Sequence, residues 1–415
     1  MTSAKAERPL DVVVWGATGF TGKLVAEYLA RRAADEGIRW AIGGRNRDKL
    51  EAVRRDLAVV SPAAAEVPLE VADAHDLPAL RAIAARTRVV ASTAGPFATH
   101  GSDLVAACVE QGTDYCDITG EVHWVRRMAD AHHAAAEKNG ARIVCCCGFD
   151  SIPSDLGVLM VQEHARQRFG QPCNSIRYFL GENKGSMSGG TVASMLALLD
   201  EARRDRAVRR VLGDPYALDP PGGRRGPDGS DQHGVRHDPD VGWTGPFVMA
   251  AVNTRIVRRS NALLGYPYGE GFRYSEAMSF PPGPRGLLWA SGITAGVAAF
   301  ALGATVGPLR KVFEARLPAP GTGPSREARE RGHFKVRLFG TFDQGAGPKL
   351  LGEVAGHNDP GYGETAKMLG ESALCLARDP APGLPGGLLT TASSMGMRLV
   401  ERLRAAGMTF EVRER

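Results

Sequence analysis

The first 150 residues alternate between short apolar runs and segments of helical periodicity, and this alternation constrains the fold more than any other feature of the chain. Several of the apolar runs lack interleaved polar residues, which is typical of strands buried on both faces of a sheet. The pattern predicts an α/β domain of the Rossmann type, a doubly wound parallel sheet with right-handed crossovers. The predicted strands are residues 12–15, 40–43, 67–71, 89–92, 114–116 and 143–146.

A glycine-rich turn follows the first predicted strand, in the stretch DVVVWGATGFTGK at residues 11–23. Its glycines are spaced GxxGxxG, whereas the best-known dinucleotide fingerprint is GxGxxG. Small residues in the turn let the backbone approach a pyrophosphate, and the helix that follows points its N-terminal amides at the phosphates. We therefore expect a dinucleotide to contact Gly16, Thr18, Gly19, Phe20, Thr21 and Gly22.

The end of the second predicted strand, AIGGRNRDKL, indicates which dinucleotide is bound. An NAD site usually places Asp or Glu here to bind the ribose 2′-hydroxyl. This chain has Gly44 and Arg45 instead, and a guanidinium can hold a 2′-phosphate through paired hydrogen bonds. We predict NADP(H) as the cofactor. Asp73, at the end of the third strand, either reaches the adenine amino group or caps a helix.

The later strand ends supply candidate residues for the chemistry. The fourth strand ends in ASTAGPF, where Ala94, Gly95 and Pro96 predict a narrow loop beside the nicotinamide ribose or, alternatively, a plain connecting turn. The next two strand ends, GTDYCDITGE and CCCGFDSIPSD, are rich in polar residues and should meet at the same sheet edge. The second of them lies where the nucleotide domain ends, a usual location for a substrate site. The candidate catalytic residues are Tyr115, Asp150 and Ser151.

The domain pattern changes near residue 150. Residues 151–388 predict a second, α+β substrate domain, and residues 389–415 predict a helix and a strand that pack back on the Rossmann domain. Residues 213–241 contain 11 Gly or Pro residues among 29, which predicts a flexible surface insertion. The strands predicted for the second domain are residues 175–180, 247–257, 272–280, 333–341 and 350–356.

One segment of the second domain is unusually apolar. Residues 286–309 carry no charge, and Arg285 and Arg310 flank them. The segment is long enough for a membrane span, which needs about 20 apolar residues. A span would separate the later strands of this domain from the earlier ones, which argues against it. The alternatives are a buried core helix, the wall of an apolar tunnel, the core of a homodimer and a hairpin on the membrane face.

Composition and motif spacing exclude several classes of protein. The net charge is only +5 and no basic block is interleaved with aromatic residues, which argues against nucleic-acid binding. The 7 cysteines form no CxxC pair, which is typical of a reduced cytoplasmic protein without a disulfide framework. The N-terminus lacks the apolar core of a signal peptide. No HExxH or GxSxG pattern occurs, so we predict no metal site and no hydrolytic triad.

Five stretches of the first domain, in this order, resemble the saccharopine dehydrogenase-like oxidoreductases: GATGFTGK, GGRNRDKL, STAGPF, GTDYCDITGE and CGFDSIPSD. Four later stretches look like the trans-acting enoyl reductase branch of that family: NTRIVRRSNAL, FRYSEAMS, GTGPSREARERGHF and DPGYGETAKML. The resemblance covers nearly the whole chain except residues 213–241.

The resemblance implies an NADPH-dependent oxidoreductase that reduces carrier-bound or other thioester-bound α,β-unsaturated acyl chains in lipid or polyketide biosynthesis. Its partner would be a separate polyketide synthase that lacks its own enoyl reductase domain. The apolar segment adds two further expectations: peripheral contact with the inner face of the plasma membrane, or a homodimer. Two alternatives stay open, a reductase of an imine or amino-acid adduct and a non-catalytic NADPH-binding protein at a membrane or lipid surface.

Overall fold

The structure is a computed structural model, and it describes residue 5 and residues 7–185, 189–231, 233–303, 322–342, 349–379 and 383–415. In this part of the chain the strands form two sheets, the first of them wholly parallel. The strands of the first sheet are β1 (Leu10–Trp15), β2 (Trp40–Gly44), β3 (Leu69–Val71), β4 (Thr87–Ser92), β5 (Asp114–Asp117), β6 (Arg142–Val144) and β13 (Gly387–Leu389).

The first sheet has the strand order β13-β6-β5-β4-β1-β2-β3, so the direction of winding reverses between β1 and β4. Ligands of such sheets bind outside the carboxyl ends of the strands at this reversal. The predicted α/β architecture is confirmed. The strand β13 joins this sheet beside β6 although it lies more than 200 residues further along the chain.

Helices cover both faces of the first sheet because successive residues of its strands point to opposite sides. In β1, Val12 and Val14 belong to one core cluster, whereas Val13 and Trp15 belong to the other. The helices of this half of the chain are α1 (Phe20–Glu36), α2 (Arg47–Val60), α3 (Leu77–Ala85), α4 (Phe97–His100), α5 (Ser102–Gln111) and α6 (Val122–Asn139).

The second sheet has the order β14-β12-β11-β7-β10-β9-β8 and is mixed, since β7 and β10 pair in parallel while the other neighbours are antiparallel. Its strands are β7 (Ser175–Lys184), β8 (Arg236–Asp238), β9 (Gly242–Gly245), β10 (Arg273–Phe280), β11 (His333–Thr341), β12 (Lys349–Gly356) and β14 (Thr409–Glu414). The remaining helices are α7 (Ile152–Phe169), α8 (Gly189–Arg204), α9 (Arg206–Gly213), α10 (Ala250–Leu263), α11 (Pro284–Gly303), α12 (Arg326–Glu330), α13 (Thr365–Arg378), α14 (Thr391–Ser394) and α15 (Gly396–Ala405).

The prediction of a strand at residues 247–257 is wrong, because helix α10 begins at Ala250. The run of Thr254, Ile256 and Val257 is rich in β-branched residues, which favour strands. The helix forms nevertheless, and it buries every residue from Val252 to Asn261 against neighbouring elements. Tertiary packing on several sides therefore overrides the local preference.

The insertion at residues 213–241 is anchored to α10 by buried arginines, which differs from the loose surface loop expected. Asp231 forms ion pairs with Arg255 at 2.7 Å and with Arg258 at 2.9 Å. Asp228 forms a further ion pair with Arg258 at 3.0 Å. Arg255 also donates to the carbonyl oxygens of Asp214 and Leu212. Leu218 of the insertion is also buried in an apolar core cluster, so charged and apolar contacts both hold the insertion.

The C-terminal helix and strand lie against different parts of the molecule. Arg402 of α15 pairs with Glu36 of α1 at 2.9 Å, so the helix contacts the first half of the chain. The strand β14 instead pairs with β12 of the second sheet, where Thr409 lies opposite Ala355. The prediction that this strand packs back on the Rossmann domain is wrong, because the strand extends the second sheet at β12.

The apolar segment forms α11 as far as Gly303, and residues 304–309 lie outside the described residues. Ala290 is buried against β9, but Leu288, Trp289 and Leu302 are 73%, 64% and 69% exposed. The segment is therefore not a buried core helix. Within the described ranges, no helix is both long and apolar enough to cross a bilayer.

Candidate functional site

The glycine turn between β1 and α1 is built so that side chains are excluded from it. Gly16 has a φ of +82°, which disfavours other residues, and a Cβ atom there would lie 2.9 Å from the Ala94 nitrogen. A Cβ atom on Gly22 would lie 2.2 Å from the carbonyl oxygen of Gly16 and 2.7 Å from Thr93 Oγ1. The turn, the first helix and the end of β4 therefore pack backbone against backbone.

The N-terminus of α1 is open to an anion. Its N-cap residue, Gly19, has no side chain to cap the helix, and no acidic residue occupies the first turn. The amides of Phe20, Thr21 and Gly22 have no partner inside the helix, because the first N–H groups of a helix lack one. A dinucleotide pyrophosphate fits this arrangement of free amides and absent side chains.

The end of β2 presents a cation without an adjacent carboxylate. Arg45 is exposed and forms no hydrogen bond with a described residue. Thr18 lies beside the preceding residue, since its Oγ1 is 3.9 Å from the position a Cβ atom of Gly44 would take. These residues fit a 2′-phosphate better than a free ribose hydroxyl.

Asp73 lies at the end of β3 and is exposed. Its carboxylate accepts a hydrogen bond from the backbone amide of His75 at 3.0 Å, which is an Asx turn. The cap of the following helix is Asp76, which accepts from Ala79 N at 3.1 Å. Asp76, and not Asp73, therefore caps the helix. Contact between Asp73 and adenine stays a prediction.

The loop after β4 is held from both ends. Thr93, which sequence analysis did not single out, donates from its amide to the Trp15 carbonyl at 2.9 Å. On the other side, Glu121 accepts from the amides of Phe97 at 2.9 Å and Ala98 at 2.8 Å. The partly exposed residues Ala94, Gly95 and Pro96 lie between these anchors.

Tyr115 does not face the cleft. Its side chain is fully buried in the core cluster beneath α5 and α6, beside Trp124 and Val125, and this burial raises its pKa well above the ordinary range. A phenol in that position has no surface through which to reach a substrate. The prediction that Tyr115 is catalytic is therefore wrong. Packing in the core explains why a large aromatic residue occupies this position of β5.

Asp150 lies in the loop between β6 and α7, at the carboxyl edge of the first sheet. The side chain is only partly exposed and forms no hydrogen bond or ion pair with a described residue. Its Oδ2 lies 3.9 Å from the position that a Cβ atom of Gly120 would take. Burial raises the pKa of Asp150 to about 6. A carboxyl group with this pKa can carry a proton at the pH of a cell and release it.

Ser151 follows directly but is fully buried. Its hydroxyl hydrogen-bonds with Asn253 Oδ1 of α10 at 3.1 Å. Asn253 Nδ2 in turn donates to Glu276 Oε2 of β10 at 2.9 Å. Sequence analysis missed Asn253 and Glu276, which lie more than 100 residues from Ser151 and join it only through the fold.

Residues of the second half of the chain also cover the nucleotide helix. The rings of Phe20 and Tyr362 meet edge to face with centroids 4.8 Å apart, and the Arg329 guanidinium lies 5.5 Å from the Phe20 centroid. Phe20 is therefore a contact between the two halves as well as a first-turn residue of α1. In the part of the chain that the structure describes, no group of His, Cys, Asp and Glu could hold a metal ion.

Comparisons with known proteins agree with this geometry. The model of the saccharopine dehydrogenase NADP-binding domain matches residues 12–144. A Mycobacterium tuberculosis protein, provisionally named a trans-acting enoyl reductase, is 43% identical over 418 residues, 97% of each chain. A trans-acting enoyl reductase of Mycobacterium bovis is 40% identical over 423 residues, 98% of each chain.

Among solved structures, the saccharopine dehydrogenase of Saccharomyces cerevisiae aligns over 97% of this chain and 99% of its own, with a TM-score of 0.55 and 13% identity. At this identity the likeness shows a shared fold alone.

Proposed function

Because this chain belongs to the trans-acting enoyl reductase family, we propose that it reduces carrier-bound α,β-unsaturated acyl thioesters in lipid or polyketide biosynthesis. It is an NADP(H)-dependent oxidoreductase, and the predicted cofactor is confirmed by the match to an NADP-binding domain. The observation that carries the proposal is the position of Asp150. This carboxyl, which pairs with no residue that the structure describes, lies at the same sheet edge as the glycine turn that fits the dinucleotide.

The proposed reaction needs a hydride and a proton. Bound NADPH supplies a hydride for the β-carbon of the enoyl group. The α-carbon then needs a proton, and in this proposal the protonated carboxyl of Asp150 donates it. Ser151 is buried, so it supports this loop and does not touch the substrate.

The neighbours of Asp150 favour an acyl chain over a substrate that carries several carboxylates. Met249 Cε and Val252 Cγ2 lie within 4.0 Å of the position a Cβ atom of Gly120 would take, beside the Asp150 carboxyl. These are apolar groups. A saccharopine-type adduct would need Arg or Lys side chains to bind its carboxylates.

The exposed apolar face of α11 supports a further part of the proposal. Large apolar side chains that stay exposed on one helix are typical of an interaction surface. We infer that Leu288 and Trp289 rest on a lipid surface, where acyl products are delivered. The synthase partner is part of the same proposal and rests on the names of the relatives.

The test is NADPH oxidation followed by absorbance with a panel of enoyl chains on coenzyme A and on a carrier protein. We expect oxidation only with α,β-unsaturated thioesters, and none with the saturated thioesters that serve as controls. Oxidation with a saccharopine-type imine but with no enoyl thioester would overturn the proposal. Product mass, two units above the substrate, confirms reduction of the double bond.

A further inference from the structure

A buried chain of hydrogen bonds connects the candidate proton donor with the second sheet. Ser151, next to Asp150, hydrogen-bonds with Asn253, and Asn253 donates to Glu276. Tyr274 donates from its hydroxyl to the other oxygen of Glu276 at 2.7 Å. The chain crosses three elements: the start of α7, the helix α10 and the strand β10.

The chemistry of the partners fixes the direction of each bond. A Glu276 carboxylate accepts only, so the Asn253 amide must turn its Nδ2 toward Glu276. Asn253 Oδ1 then faces Ser151 and accepts the hydroxyl hydrogen. The Ser151 proton is thereby committed to Asn253 and is not available to a substrate.

Glu276 is held in a dry environment. Its side chain is buried, and burial raises its pKa to about 7, while the donated hydrogen bonds favour the charged form. The titratable and polar groups that face it are Tyr274 on its own strand, Tyr178 on β7, Ser154 on α7 and Asp231 from the insertion. Cys146 lies beside Ser151 at the other end of the chain of bonds.

We propose that Asn253 and Glu276 are positioning residues for the proton-donating loop at Asp150. Glu276 sets the orientation of Asn253, Asn253 holds Ser151, and Ser151 fixes the backbone that carries Asp150. This inference rests on the proposed function, because it assumes that Asp150 donates the proton. It assigns no contact between either residue and the substrate.

The matched control is Asn261, two turns further along α10. It is also buried, but it hydrogen-bonds with the Gly269 carbonyl at 3.0 Å and the Tyr268 amide at 2.9 Å, away from Ser151. We expect Asn253→Ala to lower kcat by up to about 100-fold with little change in KM, because a small misplacement of a reacting group has this effect. Asn261→Ala should leave kcat unchanged.

Glu276→Gln tests the second member of the pair. The amide keeps an acceptor for Asn253 but no longer titrates. We expect the variant to retain most of kcat and to lose the part of the fall in stability, between about pH 4.5 and about 7, that ionisation of Glu276 causes. Wild-type kcat in Asn253→Ala would overturn the inference, as would equal loss of kcat in Asn253→Ala and Asn261→Ala. A stability profile of Glu276→Gln equal to that of the wild type between about pH 4.5 and about 7 would also overturn it.

An activity-independent measurement separates this inference from the proposed function. Because the folded state holds a proton on Glu276 more tightly than the unfolded chain does, stability should fall as pH rises from about 4.5 to about 7. Asn253→Ala removes a hydrogen-bond donor to the Glu276 carboxylate, which raises the pKa of Glu276 further. In this variant the fall in stability should therefore extend to higher pH, whereas in Asn261→Ala it should occur over the same pH range as in the wild type. If the wild type reduces no enoyl thioester, the proposed function fails; if Asn253→Ala matches Asn261→Ala in the unfolding profile, the pairing fails.

Discussion

A Cβ atom on Gly22 would lie 2.2 Å from the carbonyl oxygen of Gly16, so the first helix packs on the turn that precedes it with no room for a side chain. Gly22→Ala should push the turn and α1 apart. We expect the free energy of unfolding to fall by about 1–3 kcal/mol, the usual cost of overpacking, and NADPH binding to weaken. Denaturant unfolding and fluorescence titration with NADPH measure the two effects.

The control for this prediction is Gly296→Ala on α11, where nothing lies within 4 Å of the added methyl group. Alanine favours a helix interior over glycine, so stability should stay equal or rise by up to about 1 kcal/mol. Equal stability and equal NADPH affinity of Gly22→Ala and the wild type would contradict the packing described for the turn.

Arg45 is predicted to select NADPH over NADH through the 2′-phosphate. Arg45→Asp should weaken NADPH binding by about 10- to 100-fold, the value of hydrogen bonds to a charged group, and change NADH binding little. The control is Arg47→Asp, which makes the same change of charge at an exposed site in the first turn of α2. Titration of all three proteins with both nucleotides decides the matter, and equal weakening of both nucleotides would refute the assignment.

Sequence patterns anticipated the first sheet well because buried parallel strands are apolar runs followed by glycines and polar residues. The predicted strand at residues 12–15 is β1, and the glycine turn and Arg45 follow directly from local spacing. Tyr115 shows the limit of that reasoning. Side chains alternate across a strand, and the sequence of β5 does not show which of them end in the core.

The rest of the site depends on contacts between distant segments. Asn253 lies in a segment whose β-branched residues predicted a strand, and Glu276 lies in a strand with no local signal of a site. Only the packing of α10 between α7 and β10 brings them to Ser151. Composition also could not distinguish a buried α11 from an exposed one, since both are apolar.

Asp150 is predicted to donate the proton in its protonated form. Since burial raises its pKa to about 6, kcat for enoyl reduction should fall as pH rises through about 6, where the carboxyl ionises. Asp150→Asn should lower kcat by about 10²- to 10⁴-fold and remove this pH dependence, with NADPH affinity unchanged. Steady-state kinetics from pH 5 to 8 measure both effects.

The same substitution has the opposite effect on stability. The folded state binds a proton at Asp150 more tightly than the unfolded chain does, so ionisation at higher pH destabilises the fold. Asp150→Asn should therefore unfold at a higher temperature than the wild type at pH 8, and the two should converge near pH 4. An active Asp150→Asn variant would remove Asp150 from the reaction, whatever its stability.

Asp231 is predicted to hold the insertion on α10, because it pairs with both Arg255 and Arg258. Asp231→Asn removes a negative charge that neutralises two buried guanidinium groups. We therefore expect the free energy of unfolding to fall by about 3–5 kcal/mol, and proteolysis within residues 213–241 to become faster. Glu110→Gln, which breaks the exposed pair with Arg81, should leave stability within experimental error. If proteolysis of the insertion is equally slow in Asp231→Asn and in the wild type, other contacts hold the insertion.

Leu288 and Trp289 are predicted to bind a lipid surface through α11. Replacing both by serine removes two large exposed apolar groups, each of which gains about 1.5–3 kcal/mol when fully buried. The variant should no longer cosediment with vesicles of phosphatidylglycerol and phosphatidylethanolamine, while Val59→Ser, at a site 88% exposed, should cosediment like the wild type. Unchanged cosedimentation of the double variant would contradict the prediction. A wild-type dimer in gel filtration that the double variant dissociates would show instead that a second copy of the chain covers α11.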